Sequence, residues 1–371
     1  NYAGAAECYS RMLAIAPQEQ QSSVRLDLGM AFEKNFETAK AIENYQLALR
    51  SNPRSAAARL RLGIIYGERE KDLAKSDAAF DEAEKLYREA GNKEGLAAVF
   101  FNRGMIYDAL SRLEEGRKQL QSAVETGSRY LATRATIHLS GNSLAAGRID
   151  QAIREADQGL EQASKNNMRS VYTLGLIAKA GIYHDTGNYP EAEKYYAQAI
   201  ESARAYNGRY YGFLARLNLG SLQVQIGRLD QGLANVEPAY GFFEESKYRN
   251  EALRALLVLA RARRLKLDYA GARKSYDALL PLAEKSGDPQ VVGLVHSELS
   301  QLFIFQERFT EALPHIDESY RIYQQQGINI RLPYALLRRA RALWQLGDYA
   351  GAQDALNDGA FAGAQMDVEA E

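Results

Sequence analysis

Arginine side chains at helical spacing are the residues of this chain best suited to bind a ligand. Arg254, Arg261 and Arg264 fall at positions i, i+7 and i+10, which places them on one face of a helix. Arg338 and Arg341 form a similar pair further along the chain. Guanidinium groups donate paired hydrogen bonds that fit carboxylates and phosphates. The spacing therefore favours an acidic or phosphorylated ligand. The alternative is that these arginines are solvated or paired with glutamates of neighbouring helices.

The sequence lacks the motifs of catalytic and metal-binding sites. It contains no G-x-S-x-G, G-x-x-x-x-G-K-[ST], G-x-G-x-x-G or H-E-x-x-H pattern. Cys8 is the only cysteine, and we expect it to be a small buried hydrophobe. The histidines never stand three or four residues apart, which favours packing or surface roles over metal ligation: His138, His184, His296 and His315. The sequence therefore predicts no enzymatic activity, no cofactor and no metal.

The composition is that of an ordinary folded protein with balanced charge. The 371 residues include 46 Lys and Arg against 47 Asp and Glu, and a net charge of −1 gives no general reason to bind nucleic acid or an anionic membrane. The 23 tyrosines could form a stacking platform for single-stranded nucleic acid, but most of them fall at helix-packing positions. No apolar run reaches the length of a membrane span, and no secretion signal opens the chain. We expect a cytoplasmic protein without nucleic-acid or membrane partners.

A repeated segment supplies the elements that must position these side chains. Similar segments begin at positions 147, 187, 227, 267, 307 and 347, so each start differs from the previous one by 40. Within one copy, Tyr189, Ala192, Tyr196 and Ala199 recur at helical spacing, and a second helix precedes them across a short turn. Each copy therefore predicts a helical hairpin. The expected N-caps of the later helices include Asn188, Asp268 and Asp348.

These segments resemble the tetratricopeptide repeat, which has a small residue in its first helix, a Gly-x-Tyr turn, and Ala, Tyr and Ala in its second helix. The repeat interval, counted along the sequence, is 34 from Gly29 to Gly63 and 40 in the later copies, which resembles the lengthened repeats of kinesin light chains and bacterial regulators. The resemblance implies an all-α, right-handed superhelical solenoid of about nine and a half hairpins. It is carried by Leu28, Gly29, Phe32, Ala41, Tyr45, Ala48, Pro53, Leu62, Gly63, Tyr66, Gly187, Tyr189, Ala192, Tyr196 and Ala199.

The predicted solenoid covers residues 1–358. Residues 1–17 fit only the second helix of a repeat, so we expect an orphan helix in a fragment of a longer protein. Residues 359–371 lose the pattern and are expected to form a frayed tail.

Two glycines and a proline depart from the repeat pattern. Gly116 and Gly232 stand where the pattern has a close-packing alanine, and glycine within a helix is less favourable than alanine. Pro238 lies well inside a predicted helix, where it should kink or locally unwind the chain. We expect the least stable repeats at these positions.

The resemblance implies that the first helices of the repeats line a concave surface that binds extended or helical peptides. We therefore predict a non-catalytic protein-interaction module, a scaffold or sensor segment of a larger signalling protein. The alternative is a ligand-sensing solenoid that closes on a peptide pheromone or a small molecule. The inward positions include Arg134 and His138, and the predicted peptide-binding groove contains Asn218, Ser221, Gln225, Arg254, Arg261, Arg264, Ser297, Gln301, Tyr334, Arg338 and Arg341.

Overall fold

The protein is built from α-helices and short 3₁₀ turns. The computed structural model describes residues 2–286 and 288–369, and the side chains of residues 2–285 and 288–359. Over these residues the chain forms 19 α-helices and no strand, with 3₁₀ turns at Gln18–Gln20 and Asn329–Arg331. The predicted all-α fold is confirmed. Within the described part of the chain, every helix is too short or too polar to be a membrane-spanning segment.

The first compact unit extends to Gly212. It begins with an unpaired helix, α1 (Tyr2–Ile15), and five antiparallel helical hairpins follow it. The first residues of α12 (Arg209–Gln225) also belong to this unit. The hairpins pair α2 (Gln21–Lys34) with α3 (Thr38–Ser51), α4 (Ala56–Glu68) with α5 (Leu73–Glu89), α6 (Lys93–Ala109) with α7 (Leu113–Thr126), α8 (Arg129–Ala145) with α9 (Ile149–Lys165), and α10 (Arg169–Asp185) with α11 (Tyr189–Ala205).

The second compact unit begins at Phe213, within α12. It contains four hairpins of the same kind, and each places a first helix beside the second helix that follows it. The hairpins pair α12 with α13 (Leu229–Glu245), α14 (Arg249–Leu265) with α15 (Tyr269–Ser286), α16 (Pro289–Phe305) with α17 (Phe309–Gln325), and α18 (Leu332–Gln345) with α19 (Tyr349–Glu369).

The helix boundaries follow the repeat read from the sequence. The first helices α8, α10, α12, α14 and α16 begin at residues 129, 169, 209, 249 and 289, and the second helices that follow them repeat at the same constant interval. Across the described residues, nine hairpins follow the unpaired α1, which is the predicted number. Helical hairpins of this kind stack on their neighbours and bury a continuous apolar core.

Small and aromatic residues of the second helices form the interior of each hairpin. Ala192 and Ala199 of α11 are fully buried, as the repeat pattern predicts. Tyr45 of α3 and Tyr276 of α15 are also fully buried, so their predicted packing role is confirmed. Because alanine has only one side-chain carbon, it lets two helix backbones approach closely, and the tyrosine rings fill the space beside it.

The turn between the two helices of a repeat requires a residue in the left-handed conformation. Glycine supplies it in four of the later repeats, because a residue without a Cβ adopts positive φ without strain. Two repeats use another residue at the same position. The φ angles are 72° at Gly147, 79° at Gly187, 82° at Gly227, 84° at Gly347, 62° at Leu267 and 57° at Glu307.

Leu267→Gly is expected to stabilise the protein by about 0.5–1 kcal/mol. The left-handed conformation costs a side-chain-bearing residue roughly 1–2 kcal/mol, and the greater chain entropy of glycine offsets part of that gain. The leucine side chain is 69% exposed, so its removal sacrifices little packing. Urea unfolding measures the change. Gly227→Leu is the reciprocal variant and should destabilise the protein, and equal stability of the two variants would contradict this account of the turn.

The predicted N-caps lie at helix starts. Asp268 accepts a hydrogen bond from the Gly271 amide at 2.9 Å, and Asp348 accepts one from the Gly351 amide at the same distance. Asn188 occupies the N-cap position of α11, but its side chain makes no capping hydrogen bond. These caps satisfy amide groups that have no partner within the first turn of a helix.

A proline and the C-terminal segment lie where the sequence predicts a departure from a regular helix. Pro238 is exposed, and α13 continues through it as one helix without local unwinding, because the carbonyl that loses its partner is on the solvent side. The frayed tail stays a prediction, and the segment from Gly359 continues α19 as far as Glu369. Its high alanine content favours a helix even where the packing pattern is lost. The last part of the predicted tail, residues 370–371, lies outside the described residues.

Gly116 and Gly232 mark close contacts between the two helices of a hairpin. A Cβ on Gly116 would lie 2.0 Å from Asp108 Oδ1 and 3.1 Å from the Gly104 carbonyl oxygen. A Cβ on Gly232 would lie 2.5 Å from Val224 Cγ2. At Gly232 the two helices of the hairpin approach too closely for a Cβ to fit without a shift, whereas at Gly116 the closest group is the end of the Asp108 side chain, which can move aside. The expectation that these repeats are the least stable stays a prediction.

Candidate ligand-binding site

A buried carboxylate organises the first helices α14 and α16 in the second unit. Arg261 donates from Nε and Nη2 to Glu298 Oε1 at 2.9 and 2.7 Å. Arg264 Nη2 lies 3.7 Å from Glu298 Oε2, and the Tyr276 hydroxyl donates to the same oxygen at 3.0 Å. We call Arg261, Arg264, Tyr276 and Glu298 the Glu298 cluster. Ion pairing with a neighbouring glutamate, the alternative considered for these arginines, is therefore present.

Arg338 of α18 adds a third guanidinium beside the Glu298 cluster. Its Nη1 donates to the Ser297 hydroxyl at 2.5 Å, and no carboxylate pairs with it among the described residues. The pKa of Arg338 is lowered by burial, while Glu298 opposes that shift and Arg264 adds to it. One carboxylate therefore faces three guanidinium groups, which leaves this surface with excess positive charge.

Two buried polar atoms near these arginines have no hydrogen-bond partner within the described part of the chain. They are Arg264 Nε and the hydroxyl oxygen of Tyr323. Tyr323 of α17 is within the electrostatic range of Arg338. Buried polar groups are normally hydrogen-bonded, and an unpaired one is costly. The Glu298 cluster and Arg338 thus combine positive charge with unsatisfied hydrogen-bonding capacity.

The other predicted groove residues are distributed around this cluster in the second unit. Arg254 donates to Asn218 Oδ1 at 2.9 Å, which joins α14 to α12. Ser221 and Gln301 are half-buried, whereas Gln225, Tyr334 and Arg341 are exposed. The structure brings Arg261, Arg264, Ser297 and Arg338 together, and it gives no direct contact between them and Arg341 among the described hydrogen bonds and ion pairs.

Arg264 differs from the predicted open groove residue. Its side chain is 10% exposed and points into the protein, where it pairs with Glu298 and covers the Phe305 ring at 5.2 Å. The helical spacing predicts its place beside Arg261. Position i+10 of a helix does not point in the same direction as position i, so Arg264 faces further into the interior than Arg254. Arg261 and Arg338 are the accessible arginines of this surface.

Residues that sequence reasoning missed hold the site together. Glu298 carries no signal of its own in the repeat pattern, although it is the only Asp, Glu, Lys or Arg residue of α16. Tyr323 was not singled out either. An acidic residue at an inward position of a first helix, one repeat after a pair of arginines, is the signal that could have identified Glu298.

Two histidines that are distant in sequence meet in the second unit. His296 Nδ1 of α16 lies 2.9 Å from His315 Nδ1 of α17, and the His315 ring stacks on Phe303. Burial and the neighbouring His296 lower the pKa of His315 to about 4, and burial also lowers the pKa of His296. Sequence spacing gave no sign of this contact, because the hairpin brings together two side chains from different helices. Within the described residues, no group of three His, Cys, Asp or Glu side chains is arranged to hold a metal ion.

The histidine pair is expected to make stability depend on pH. A histidine whose pKa is lowered by folding stabilises the protein above its unfolded pKa of about 6.5, and that stability is lost as pH falls toward the folded value. His315→Gln should therefore reduce the loss of unfolding free energy between neutral and mildly acidic solution. Urea unfolding of wild type and variant at several pH values measures the difference. An unchanged pH dependence in the variant would contradict this role of the pair.

Cys8 is exposed, which corrects the expectation that it is a buried hydrophobe. Helix α1 packs through Ala5, Ala6, Tyr9 and Leu13. Cys8 directly precedes Tyr9 and falls off this face.

Two segments of the chain match models of known repeats. Residues 26–93 and residues 175–206 each match a tetratricopeptide repeat model. These segments contain the buried packing residues Tyr45, Ala192 and Ala199. Over these two segments the chain carries tetratricopeptide repeats. The constant, longer interval between its later hairpins makes them a lengthened form of this repeat. No curated protein sequence matches the chain.

Solved structures with the same fold include signalling proteins. A Rap protein complexed with Competence and Sporulation Factor is 15% identical, with 94% of this chain and 98% of that chain covered and a TM-score of 0.59. A signal-transduction ATPase with a tetratricopeptide repeat sensor from Pyrococcus horikoshii is 18% identical, with 89% and 55% covered and a TM-score of 0.56. Aspartyl phosphate phosphatase F from Bacillus subtilis is 12% identical, with 92% and 94% covered and a TM-score of 0.56. At these identities the similarity establishes the fold.

Proposed function

We propose that this tetratricopeptide-repeat protein is a non-catalytic interaction module that binds an acidic segment of a protein or peptide at Arg338 and the Glu298 cluster. The observation that carries the proposal is the excess of guanidinium groups over carboxylates on this surface. Arg338 uses only Nη1 in the hydrogen bonds described, so its Nε and Nη2 face no partner in the described structure. These two groups form the edge that binds a carboxylate through two parallel hydrogen bonds.

Glu298 would hold the arginines in position for this interaction. It neutralises Arg261 and Arg264 and keeps their side chains in place, so the folded protein tolerates several arginines in one partly buried region. An acidic side chain of the ligand would then pair with Arg338 and with the exposed edge of Arg261. Because such a bond forms in a partly desolvated site, it contributes about 1.5–3 kcal/mol, more than an exposed surface pair.

The alternative function is ligand sensing, in which the protein closes on a peptide pheromone or a small molecule. The analogy of fold with the Rap protein complexed with Competence and Sporulation Factor favours this alternative. Both functions use a non-catalytic solenoid spanning residues 1–358, and both fit a cytoplasmic segment of a larger signalling protein. A phosphorylated segment of a protein or peptide is also negatively charged, so it would be a further ligand for the same arginines.

Selection from a random dodecapeptide display library tests the proposed function. We expect the full chain to select peptides enriched in Asp or Glu, and Arg338→Met to weaken their binding about tenfold or more, which corresponds to about 1.4 kcal/mol. Arg339→Met is the matched control, because Arg339 pairs with Asp317 on an exposed surface. Binding of synthetic peptides is measured by fluorescence anisotropy, and circular dichroism checks that the variants fold.

The salt dependence of binding supplies a second criterion. Wild-type affinity should fall as ionic strength rises from low to physiological values, because charge pairs on a partly open surface are screened. If the peptides bind wild type and Arg338→Met with equal affinity, Arg338 is not part of the binding site. Failure to select any peptide with the wild-type chain would contradict peptide binding itself.

A further inference from the structure

Arg134 of α8 is a half-buried arginine in the first unit that has no carboxylate partner among the described residues. Its Nε is buried and makes no hydrogen bond. Other arginines of this unit with little exposure are paired. Arg103 pairs with Asp81, and Arg117 pairs with Glu155 at 2.5 Å. Desolvating a cation is costly unless an anion compensates it, so the unpaired state of Arg134 requires an explanation.

Aromatic rings surround the Arg134 guanidinium. Its central carbon lies 5.0 Å from the centre of the Phe101 ring of α6 and 5.8 Å from that of Tyr130. Aromatic faces attract a cation, and this attraction holds the side chain in place without neutralising its charge. Phe101 is buried, whereas Tyr130 is 46% exposed. The guanidinium is therefore held between a buried wall and a rim that solvent reaches.

His138 completes the wall without adding charge. Its ring makes an edge-to-face contact with Phe101 at 5.2 Å. Burial, together with the nearby positive charge of Arg134, lowers the pKa of His138 to about 4. The imidazole is neutral at physiological pH, so Arg134 is the cation of this region.

Tyrosines near the start of α12 extend the same region. Burial raises the pKa of Tyr211, and the positive charge of Arg134 opposes that shift, which places the two groups within electrostatic range. Tyr206, in the turn before α12, acts in the opposite direction and raises the pKa of Tyr211, so it also lies within electrostatic range. The hydroxyl of Tyr206 is buried and has no hydrogen-bond partner in the described structure. A second unsatisfied polar group thus lies in this tyrosine-rich region.

We propose that Arg134, Phe101 and Tyr130 form a second anchor site, which binds the carboxylate of an Asp or Glu residue of a peptide. The acidic side chain would pair with the free edge of the guanidinium, and an apolar neighbour in the peptide would pack on the exposed Tyr130 ring. An acid compensates the charge that the chain itself leaves unpaired. The aromatic faces against the Arg134 guanidinium distinguish this anchor from Arg338, which hydrogen-bonds the Ser297 hydroxyl. The inference rests on the proposed function, because it requires that the protein binds peptides.

The same dodecapeptide library tests this second anchor independently of the first. Selection is performed with the full chain, with Arg134→Met and with Arg134→Lys, which keeps the charge but removes the fork. Arg129→Met is the matched control, since Arg129 is exposed at the start of the same helix. We expect wild type to select peptides in which an acidic residue adjoins an aromatic or aliphatic one. Synthetic peptides of this kind should bind Arg134→Met about tenfold more weakly, and Arg134→Lys should be intermediate.

The outcomes separate this inference from the proposed function. Peptides that retain the acidic-apolar pair and full affinity with both Arg134 variants would overturn the second anchor while leaving peptide binding intact. Peptides weakened by Arg338→Met but unaffected by either Arg134 variant would also overturn it. Weaker binding by Arg134→Met, with intermediate binding by Arg134→Lys, unchanged binding by the Arg129→Met control and an unchanged circular dichroism spectrum, supports it. If Arg134→Met does not fold, the affinities of Arg134→Lys and wild type are compared instead: weaker binding by Arg134→Lys supports the second anchor, and equal binding overturns it.

Discussion

Glu298→Ala is expected to lower the free energy of unfolding by about 3–5 kcal/mol, because it leaves two guanidinium groups unpaired in a poorly hydrated region. The side chains of Glu298 and Arg264 are 11% and 10% exposed, so water cannot replace the lost carboxylate easily. The Tyr276 hydroxyl would lose its acceptor as well. Urea or thermal unfolding of the full chain measures the change.

Glu237→Ala is the matched control for this variant. Glu237 pairs with Arg263 at 2.9 Å, but it is 52% exposed, and an exposed pair contributes at most about 1 kcal/mol. A loss of similar size in both variants would show that burial does not determine the strength of these pairs. A Glu298→Ala variant as stable as wild type would contradict the structural role assigned to the Glu298 cluster.

Gly232→Ala is expected to destabilise the protein by about 1–3 kcal/mol, although alanine is the better helix former by about 0.5–1 kcal/mol. The added methyl group would lie 2.5 Å from Val224 Cγ2 and 2.9 Å from the Gly220 carbonyl oxygen. The Gly220 carbonyl oxygen belongs to the backbone, so it cannot move away by a change of rotamer as a side-chain atom can. The helices α12 and α13 would have to separate, which weakens the contacts around them.

Gly241→Ala, in the same helix, is expected to have the opposite effect on stability. A Cβ on Gly241 meets no atom within 4 Å, so only the helix propensity changes, and the variant should be more stable by about 0.5–1 kcal/mol. Chemical unfolding of both variants gives the comparison. If both substitutions stabilised the protein, the close approach of α12 and α13 at Gly232 would be wrong.

The hairpins could be predicted from the sequence because their packing is local and repeated. Ala192, Tyr196 and Ala199 stand at positions whose small or aromatic character recurs from copy to copy, and one helix pitch converts this spacing into one buried face. The resemblance to a known repeat then supplied the pairing of first and second helices. Caps such as Asp268 were identifiable for the same reason, since a cap is a property of a few consecutive residues.

The polar contacts could not be predicted in the same way, because they join residues that only the stacked hairpins bring together. Glu298 and Arg261 lie in successive repeats, and sequence spacing within one helix says nothing about which acid lies beside an arginine. The meeting of His296 and His315 has the same origin. The close approach of the two helices at Gly232 could not be predicted either, because helix propensity says nothing about the distance between helices. Ligand binding by the predicted groove residues stays a prediction, although the positions of Arg261, Ser297 and Arg338 are consistent with it.

The uniform spacing of the later hairpins has a consequence for how such a chain grows. In the first unit, α8 and α10 begin at residues 129 and 169, and α9 and α11 begin at residues 149 and 189, so both kinds of helix share one period. A duplication or excision of one complete period would therefore join a helix to the same kind of neighbour that it had before, since each hairpin contacts mainly the next one. An insertion of another length would rotate the following helix and expose its apolar face. Recombination can thus lengthen or shorten the binding surface in whole steps, and new specificities arise without the invention of a new core.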